Sequence, residues 1–551
     1  MILDKRFYIF ILINIIIPFF EPFTKISNYL RIVLYSFILL LAIYFLLDFI
    51  KSKKLKIMIK NIIVIFCMIL GFIDLFCILN FNTPISEGLT DTIFATQKFE
   101  IDGFLKFYFQ MENNIILVIV YTSICIAFFA IKKDFILKIN KKFAGIFLAI
   151  ALLILSGLGI KDYIRNDSFH TIRKFAELVN MTNFIYSLSL SAYHTKTYIK
   201  EYQTYKSSLE ANLKNLNNYI LQNDTKISNV IIIIGESASR NFMHIYGYDL
   251  DNTPNTDKLK KEGNLFVFDD VISPQAHTSG VFETILNFSD YENRKIPWYK
   301  QMNLLDIMKI AGYKTFWFSN QEKISVWGNA PTAISTRANF AFWTHLSNGV
   351  SNNYDEELIP LYEKNKQHLG DKNFIIFHLQ GSHIPYKNRF PKSYAKFKPS
   401  DIDTKKLHIT HKSDLRIVAD YVNSFYYTDA ILNKIFNLFK NTDSIIFYFS
   451  DHAQDVFQSR NSVGHTCDNY GVEIPFMIFV TDEFKHNHPD KIKSIKSALK
   501  KPFMTDDFSQ SLLPLIDIKT KDNIKNKDIF SPDFDTQRKR IYCGNIDYLK
   551  Q

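Results

Sequence analysis

Four separate stretches of this 551-residue chain run an apolar segment straight into polar side chains capable of chemistry. "VIIII" ends in Gly235-Glu236-Ser237, "FWFS" in Asn320-Gln321, "FIIFHLQ" in Gly381-Ser382-His383, and "IIFYFS" in Asp451-His452. A carboxylate at the tip of a buried run is costly unless its charge is paired or coordinated. Glu236, Asp451, His452 and His383, with His465 further on, make an oxygen-and-nitrogen donor set of the kind that holds zinc, or less often manganese. Capping or salt bridging accounts for any one of these residues alone; their joint occurrence points to a metal. "GESAS" is also similar to the G-x-S-x-G nucleophile elbow, which would make Ser237 a hydrolase nucleophile. Ser239, however, stands where that tight turn needs its second glycine.

Such tips meet only if the runs are neighbouring strands. The stretches 229–234, 313–319, 373–380, 444–450 and 472–480 read as short strands, and 303–312 and about 413–440 have helical spacing between them. Runs too apolar to face water, alternating with helices, predict an α/β domain whose mostly parallel sheet is covered on both faces. In such sheets the binding crevice lies beyond the carboxyl ends of the strands, which is where the polar tips fall.

Hydrophobic residues are 47% of the chain, with 51 Phe, yet charged residues reach 22%, and the apolar excess is concentrated in the first 160 residues. Five runs there, at about 7–22, 29–50, 58–80, 115–131 and 143–160, are expected to cross a membrane. No small-residue cleavage site follows the first, so it is not read as a signal peptide. "KSKKLK" (51–56), "KKDFILKINKK" (132–142) and the "DKR" start are rich in basic residues. By the positive-inside rule the chain starts in the cytoplasm and emerges outside after Gly159. The expected organisation is a five-helix transmembrane domain (1–160, with an outer loop at 81–114), an amphipathic helical linker at the membrane surface (161–228), and an extracytoplasmic α/β domain (229–551). The net charge of +11 falls largely beside the spans and in 161–228, among Phe, Tyr and Leu. That pattern suits an anionic membrane surface better than nucleic acid. Of the five Cys, Cys67, Cys77 and Cys125 lie in expected spans; Cys467 and Cys543 form one disulfide or none.

"GESASRNFMHIYGYDLDNTPNTDKL" (235–259), "HLQGSHIPYKNRFP" (378–391), "YVNSFYYTDAIL" (421–432) and "FYFSDHAQD" (447–455) resemble the membrane-bound phosphoethanolamine transferases of Gram-negative bacteria, within the alkaline-phosphatase and sulfatase superfamily. The resemblance implies an alkaline-phosphatase/sulfatase-like fold in the periplasm, anchored in the inner membrane. It implies a two-step transfer: a metal-activated Thr takes phosphoethanolamine from phosphatidylethanolamine, then passes it to a lipopolysaccharide acceptor, a core sugar or lipid A. By motif order the nucleophile falls within "SPQAHTSGVFETILNFS" (273–289), where Thr278 aligns best, ahead of Ser279 and Thr284. Glu236, Thr278, Asp451 and His452 would then hold one tightly bound zinc, with manganese the lesser choice. His383 and His465 would bind a second ion or the substrate phosphate.

In "TIFATQKFE", Thr92, Thr96 and Glu100 fall on one helical face, at the spacing where family members carry Asn, Thr and Glu for the ethanolamine head group. Glu100 favours a cationic amine over the neutral glycerol of a phosphoglycerol transferase, the nearest alternative activity. A membrane-anchored scaffold without activity is the other alternative, and the intact Glu236, Asp451 and His452 weigh against it. Three departures stand out: the Cys residues that flank the nucleophile in many members are missing, "SDHAQD" replaces the usual Ser-Asp-His-Gly-Glu, and "HTSGV" is unusual.

Overall fold

The structure is a computed structural model that describes residues 1–20, 26–81, 84–85, 90, 105, 108–131, 133–165, 172, 175–176, 179, 181–192, 205, 219–293, 295–322, 330–345 and 354–549. The chain divides into two compact units, Met1–Phe94 with Phe109–Lys196, and Ala95–Tyr108 with Thr197–Gln551.

In the first unit, four helices among the described residues are long and apolar enough to cross a membrane: Tyr29–Leu47, Lys53–Asn80, Glu112–Ala130 and Lys141–Lys161. The expected first span differs. It folds as a 12-residue helix, Lys5–Ile16, ending in a 3-10 turn at Ile17–Phe20 that contains Pro18. At about 1.5 Å per residue a helix of that length covers roughly 18 Å, short of the roughly 30 Å hydrocarbon core. Apolar side chains on the longer helices, such as Ile119, Ile126, Leu152 and Leu153, are exposed, as lipid-facing residues would be. The basic segments gather at one end of these helices. Ile2–Leu3 pairs antiparallel with Leu137–Lys138, Lys56 and Lys141 reach Asp48, and Lys60 lies 2.9 Å from Asp4.

The second unit is built on a seven-stranded sheet, whose strands are numbered here in chain order: β1 (Asn229–Gly235), β2 (Leu265–Val267), β3 (Lys314–Glu322), β4 (Phe340–His345), β5 (Asn373–His378), β6 (Ser444–Ser450) and β7 (Phe476–Val480). Their spatial order is β2-β7-β6-β1-β5-β3-β4. The sheet is mixed, because β7 runs antiparallel to both β6 and β2 while the remaining neighbours are parallel. After Ser450 the chain carries Asp451, His452 and His465 and then re-enters the sheet at Phe476, opposite Phe449 near the carboxyl end of β6, so β7 must run back. β4 and the short β2, both outside the sequence expectation, occupy the edges.

Every residue of β1 is buried. Val230, Ile232 and Ile234 pack with Leu304, Leu305, Phe508 and Leu512 in the main core. The long helix Leu415–Phe439 buries an apolar stripe that includes Val418, Val422, Phe425 and Leu432. β1 pairs residue for residue with β6, up to Gly235 opposite Ser450, and with β5, up to Ile234 opposite His378. Unbroken register brings the three tips out at one level, and that is the sheet's contribution to the site.

Candidate metal centre

Where β1 and β6 end, the backbone of Asp451 donates to Gly235 O at 3.0 Å, holding the two tips together. Glu236, Asp451 and His452 each offer a ligand atom within 4.8 Å of the others, and all three are buried. His452 Nε2 lies 3.2 Å from Glu236 Oε1 and 3.3 Å from Asp451 Oδ2. Thr278, the first residue of a short helix (Thr278–Phe282), places its hydroxyl 3.3 Å from Glu236 Oε2 and 3.3 Å from His452 Nε2. The four residues expected to share a cation therefore converge on one point. Of the weaker nucleophile candidates, Thr284 turns its hydroxyl back to Val281 O at 2.8 Å.

The imidazoles are oriented alike. His452 Nδ1 faces Ala453 O at 2.9 Å, His465 Nδ1 faces Ala276 O at 3.1 Å, and His383 Nδ1 faces Ile384 O at 2.8 Å. A carbonyl only accepts, so Nδ1 carries a proton in each and Nε2 is the atom each ring would offer a metal. The His465 ring lies 4.6 Å from that of His452 and 6.3 Å from that of His383. The two histidines expected to serve a second ion or the phosphate thus stand beside the first group.

Without a cation the cluster balances its charge by keeping protons on Asp451 and His452. Burial raises the Glu236 carboxyl, but the charge and hydrogen bond of His452, with His383 and His378 beyond, outweigh it and hold Glu236 well below the usual range. Asp451 is pushed up to about 8 by burial and by the Glu236 charge, against the pull of His452. Burial opposes charge on His452, yet Asp451 and Glu236 together raise it to about 9. Burial and the neighbouring His452 and His383 keep His465 well below the ordinary imidazole value. Two carboxylates face one imidazole, and Asp451 Oδ2 is buried without a hydrogen-bond partner. A divalent cation would take the place of those protons and supply a bond to that oxygen, so this donor set fits a metal.

Several supporting residues have roles that the sequence does not disclose. Gln321, at the end of β3, donates from Nε2 to Glu236 Oε2 at 3.1 Å and to Leu379 O at 3.0 Å, so it orients the Glu236 carboxylate. Ser237 is a left-handed residue with φ 60, and its hydroxyl is spent on Glu236 Oε1 at 2.9 Å, an orienting contact in place of the elbow nucleophile. Asp355 ties the tips of β5 and β3 by accepting from the Gln380 and Gly381 N–H groups and from Asn320 Nδ2. At Gly381, φ is +52 and a Cβ would come within 2.7 Å of Glu236 N and O. Of these, only Gln321 and Ser237 left a sequence signal, as strand-tip polar residues.

Part of the recognisable motif is structural. Asp429 accepts from the Asn255 and Thr256 N–H groups and from the Thr256 hydroxyl, which locks "NTPNT" to "YTDAIL". Arg240 bridges Val271 O, Glu473 and Tyr548. Cys467 and Cys543 form a disulfide, closing the choice the sequence left open and tying the loop that carries His465 to the C-terminal segment. Thr92, Thr96 and Glu100 lie outside the described residues.

Comparison with known proteins agrees with this architecture. The chain is 25% identical over 432 residues to phosphoethanolamine transferase EptC of Escherichia coli K12, covering 74% of this chain and 72% of that protein. It is 30% identical over 275 residues to phosphoethanolamine transferase CptA of Salmonella typhimurium, covering 47% and 46%. The crystal structure of the C-terminal periplasmic domain of E. coli EptC in complex with Zn superposes with a TM-score of 0.54 at 25% identity, over 59% of this chain and 92% of that one. The integral membrane protein lipooligosaccharide phosphoethanolamine transferase A from Neisseria meningitidis shares the fold across 95% of both chains, with a TM-score of 0.62 at 17% identity. The Sulfatase family model matches residues 228–518, the stretch that holds the sheet and every residue of the cluster. The chain belongs to the Sulfatase family.

Proposed function

We propose that this protein transfers phosphoethanolamine from phosphatidylethanolamine to a lipopolysaccharide acceptor, a core sugar or lipid A, with Thr278 as the nucleophile. The observation that carries this reading is the Thr278 hydroxyl, 3.3 Å from both Glu236 Oε2 and His452 Nε2 and beside the buried cluster of Glu236, Asp451 and His452. A neutral threonine hydroxyl is a poor nucleophile. A bound zinc, or less readily manganese, would be held by Glu236, Thr278, Asp451 and His452, would lower the pKa of the hydroxyl and would neutralise the phosphoryl oxygens. The Thr278 Oγ1–P bond forms as the P–O bond to diacylglycerol breaks, and the hydroxyl proton passes by way of water or a neighbouring base to the departing diacylglycerol oxygen. The acceptor hydroxyl or phosphate oxygen then bonds to phosphorus as the Thr278 Oγ1–P bond breaks, and Thr278 recovers a proton from the acceptor hydroxyl or, for a phosphate acceptor, from water. Gln321 and Ser237 hold the Glu236 carboxylate in place through both steps. His383 and His465 bind phosphate oxygens or a second ion, and Thr92, Thr96 and Glu100 hold the ammonium head group.

The long apolar helices anchor the chain in the inner membrane, with the α/β unit in the periplasm. The Cys467–Cys543 disulfide supports that side, since disulfides persist in oxidising compartments; Cys67, Cys77 and Cys125 are free. Mass spectrometry of lipopolysaccharide from cells expressing the intact protein tests the proposal. A phosphoethanolamine-sized gain that disappears with Thr278→Ala is expected. A gain that survives the substitution sinks the nucleophile, and a phosphoglycerol-sized gain transfers the chain to the alternative activity.

A further inference from the structure

Gln454 stands where Ser-Asp-His-Gly-Glu has its Glu, one of two positions, with Ala453, at which "SDHAQD" departs from that motif, and its side chain is fully buried beside the candidate metal cluster. Tyr386 donates its hydroxyl proton to Gln454 Oε1. The amide nitrogen lies 3.2 Å from Ser237 Oγ and 3.2 Å from His465 Nε2. Both of those atoms need a donor. Ser237 has one hydroxyl proton, spent on Glu236 Oε1, and His465 carries its proton on Nδ1, facing Ala276 O. Only an NH2 group supplies two donors here, so the amide orientation is settled by its surroundings. A glutamate carboxylate at this position has none to give.

We propose that Gln454 withholds His465 from a second cation, so that this centre takes up a single divalent ion. The inference rests on the metal reading given above. A second ion beside His383 would need the His465 Nε2 lone pair, and that lone pair already accepts from the Gln454 amide. Binding there must detach the amide and leave a buried N–H without a partner, which weakens the second ion by about 10- to 100-fold. Glutamate at 454 reverses both effects, since it cannot donate to His465 and it adds a negative ligand oxygen. Of the roles proposed above for this pair, His465 then takes neither, and only His383 is left to face the phosphate.

The test measures zinc bound to the detergent-solubilised full chain by elemental analysis and by titration from the metal-free state. The intact protein is expected to hold one equivalent, His465→Ala to hold the same one, and Gln454→Glu to take a second equivalent at least about 10-fold more tightly than the intact protein does. Two tight equivalents in the intact protein, one of them lost in His465→Ala, overturn the proposal. So does a Gln454→Glu protein whose zinc isotherm matches the intact one. If Gln454→Glu fails to fold, the comparison of the intact protein with His465→Ala decides alone. Asp451→Ala separates this inference from the reading beneath it: a full zinc equivalent retained in that variant means the first site itself is wrong.

Discussion

Gly381→Ala is the sharpest probe of how the strand tips aim the centre. The residue sits where β5 ends beside Glu236, with φ +52, and an added Cβ would meet Glu236 N and O at 2.7 Å and Glu236 Cβ at 3.1 Å. A left-handed alanine costs about 1–2 kcal/mol. Relieving an overpacked contact costs roughly 1–3 kcal/mol more, because the atoms met are backbone and cannot rotate away. The expected loss is therefore about 2–5 kcal/mol, and the relieving movement pushes the Glu236 tip away and strains the Ser382 N to Glu236 O hydrogen bond of 2.9 Å. Gly312→Ala is the control, with φ +92 but nothing within 4 Å of its Cβ, so it carries the dihedral cost alone. Thermal unfolding and zinc titration of both variants give the answer. At about 1–2 °C per kcal/mol for a unit of this size, Gly381→Ala should lower Tm by roughly 2–10 °C and weaken zinc at least about 10-fold, a shift of about 1.4 kcal/mol. Gly312→Ala should lower Tm by only about 1–4 °C at the same scaling and leave zinc binding unchanged. A Gly381→Ala protein with intact zinc affinity and transfer activity would refute the idea that close approach of β5 to Glu236 sets the centre.

Gln321→Leu removes a hydrogen bond to a buried carboxylate, and such bonds are worth about 1.5–3 kcal/mol, so zinc affinity should fall roughly 10- to 100-fold; an unchanged isotherm would count against its orienting role. In chelator-treated protein, Asp451 and His452 both hold their protons to higher pH than in the unfolded chain. Their contribution to stability is therefore lost as pH rises from the unfolded carboxylate value, about 4, through about 8 and about 9. Above those values protons no longer compete with zinc, so the zinc-induced rise in Tm should grow between pH 6 and 9; a constant increment would contradict the cluster electrostatics. Reducing the Cys467–Cys543 bridge, which spans a sequence separation of 76, releases loop entropy worth about 4.5 kcal/mol in the chain-entropy account. Thermal unfolding with and without reductant should show a marked drop in Tm, and equal values would mean that the bridge is structurally idle.

Local pattern made much of this protein legible before any coordinates. β1 and β6 are continuous apolar runs bounded by polar tips, and the helix Leu415–Phe439 has an apolar stripe at helical spacing, so their positions follow from short-range periodicity. Glu236, Asp451 and His452 stood out because charged residues at buried strand ends need a reason, while Thr278 was reached through motif order alone.

Tertiary structure decided what depends on residues distant in the chain. Thr278 and His452 are 174 positions apart, and only residue-for-residue pairing of β1 with β5 and β6 brings the tips level. The reversal of β7, the edge strand β4 and the short first helix also depend on where the chain must go next, which periodicity does not record. Asp355 carries no local mark because a lone acid reads as an ordinary polar residue, and Gln321 and Gln454 are marked only as a strand tip and a departure from a motif; each acquires its role from the donors and acceptors that the fold sets against it. Amino-acid order determined which side chains could do chemistry, and packing determined which of their atoms meet.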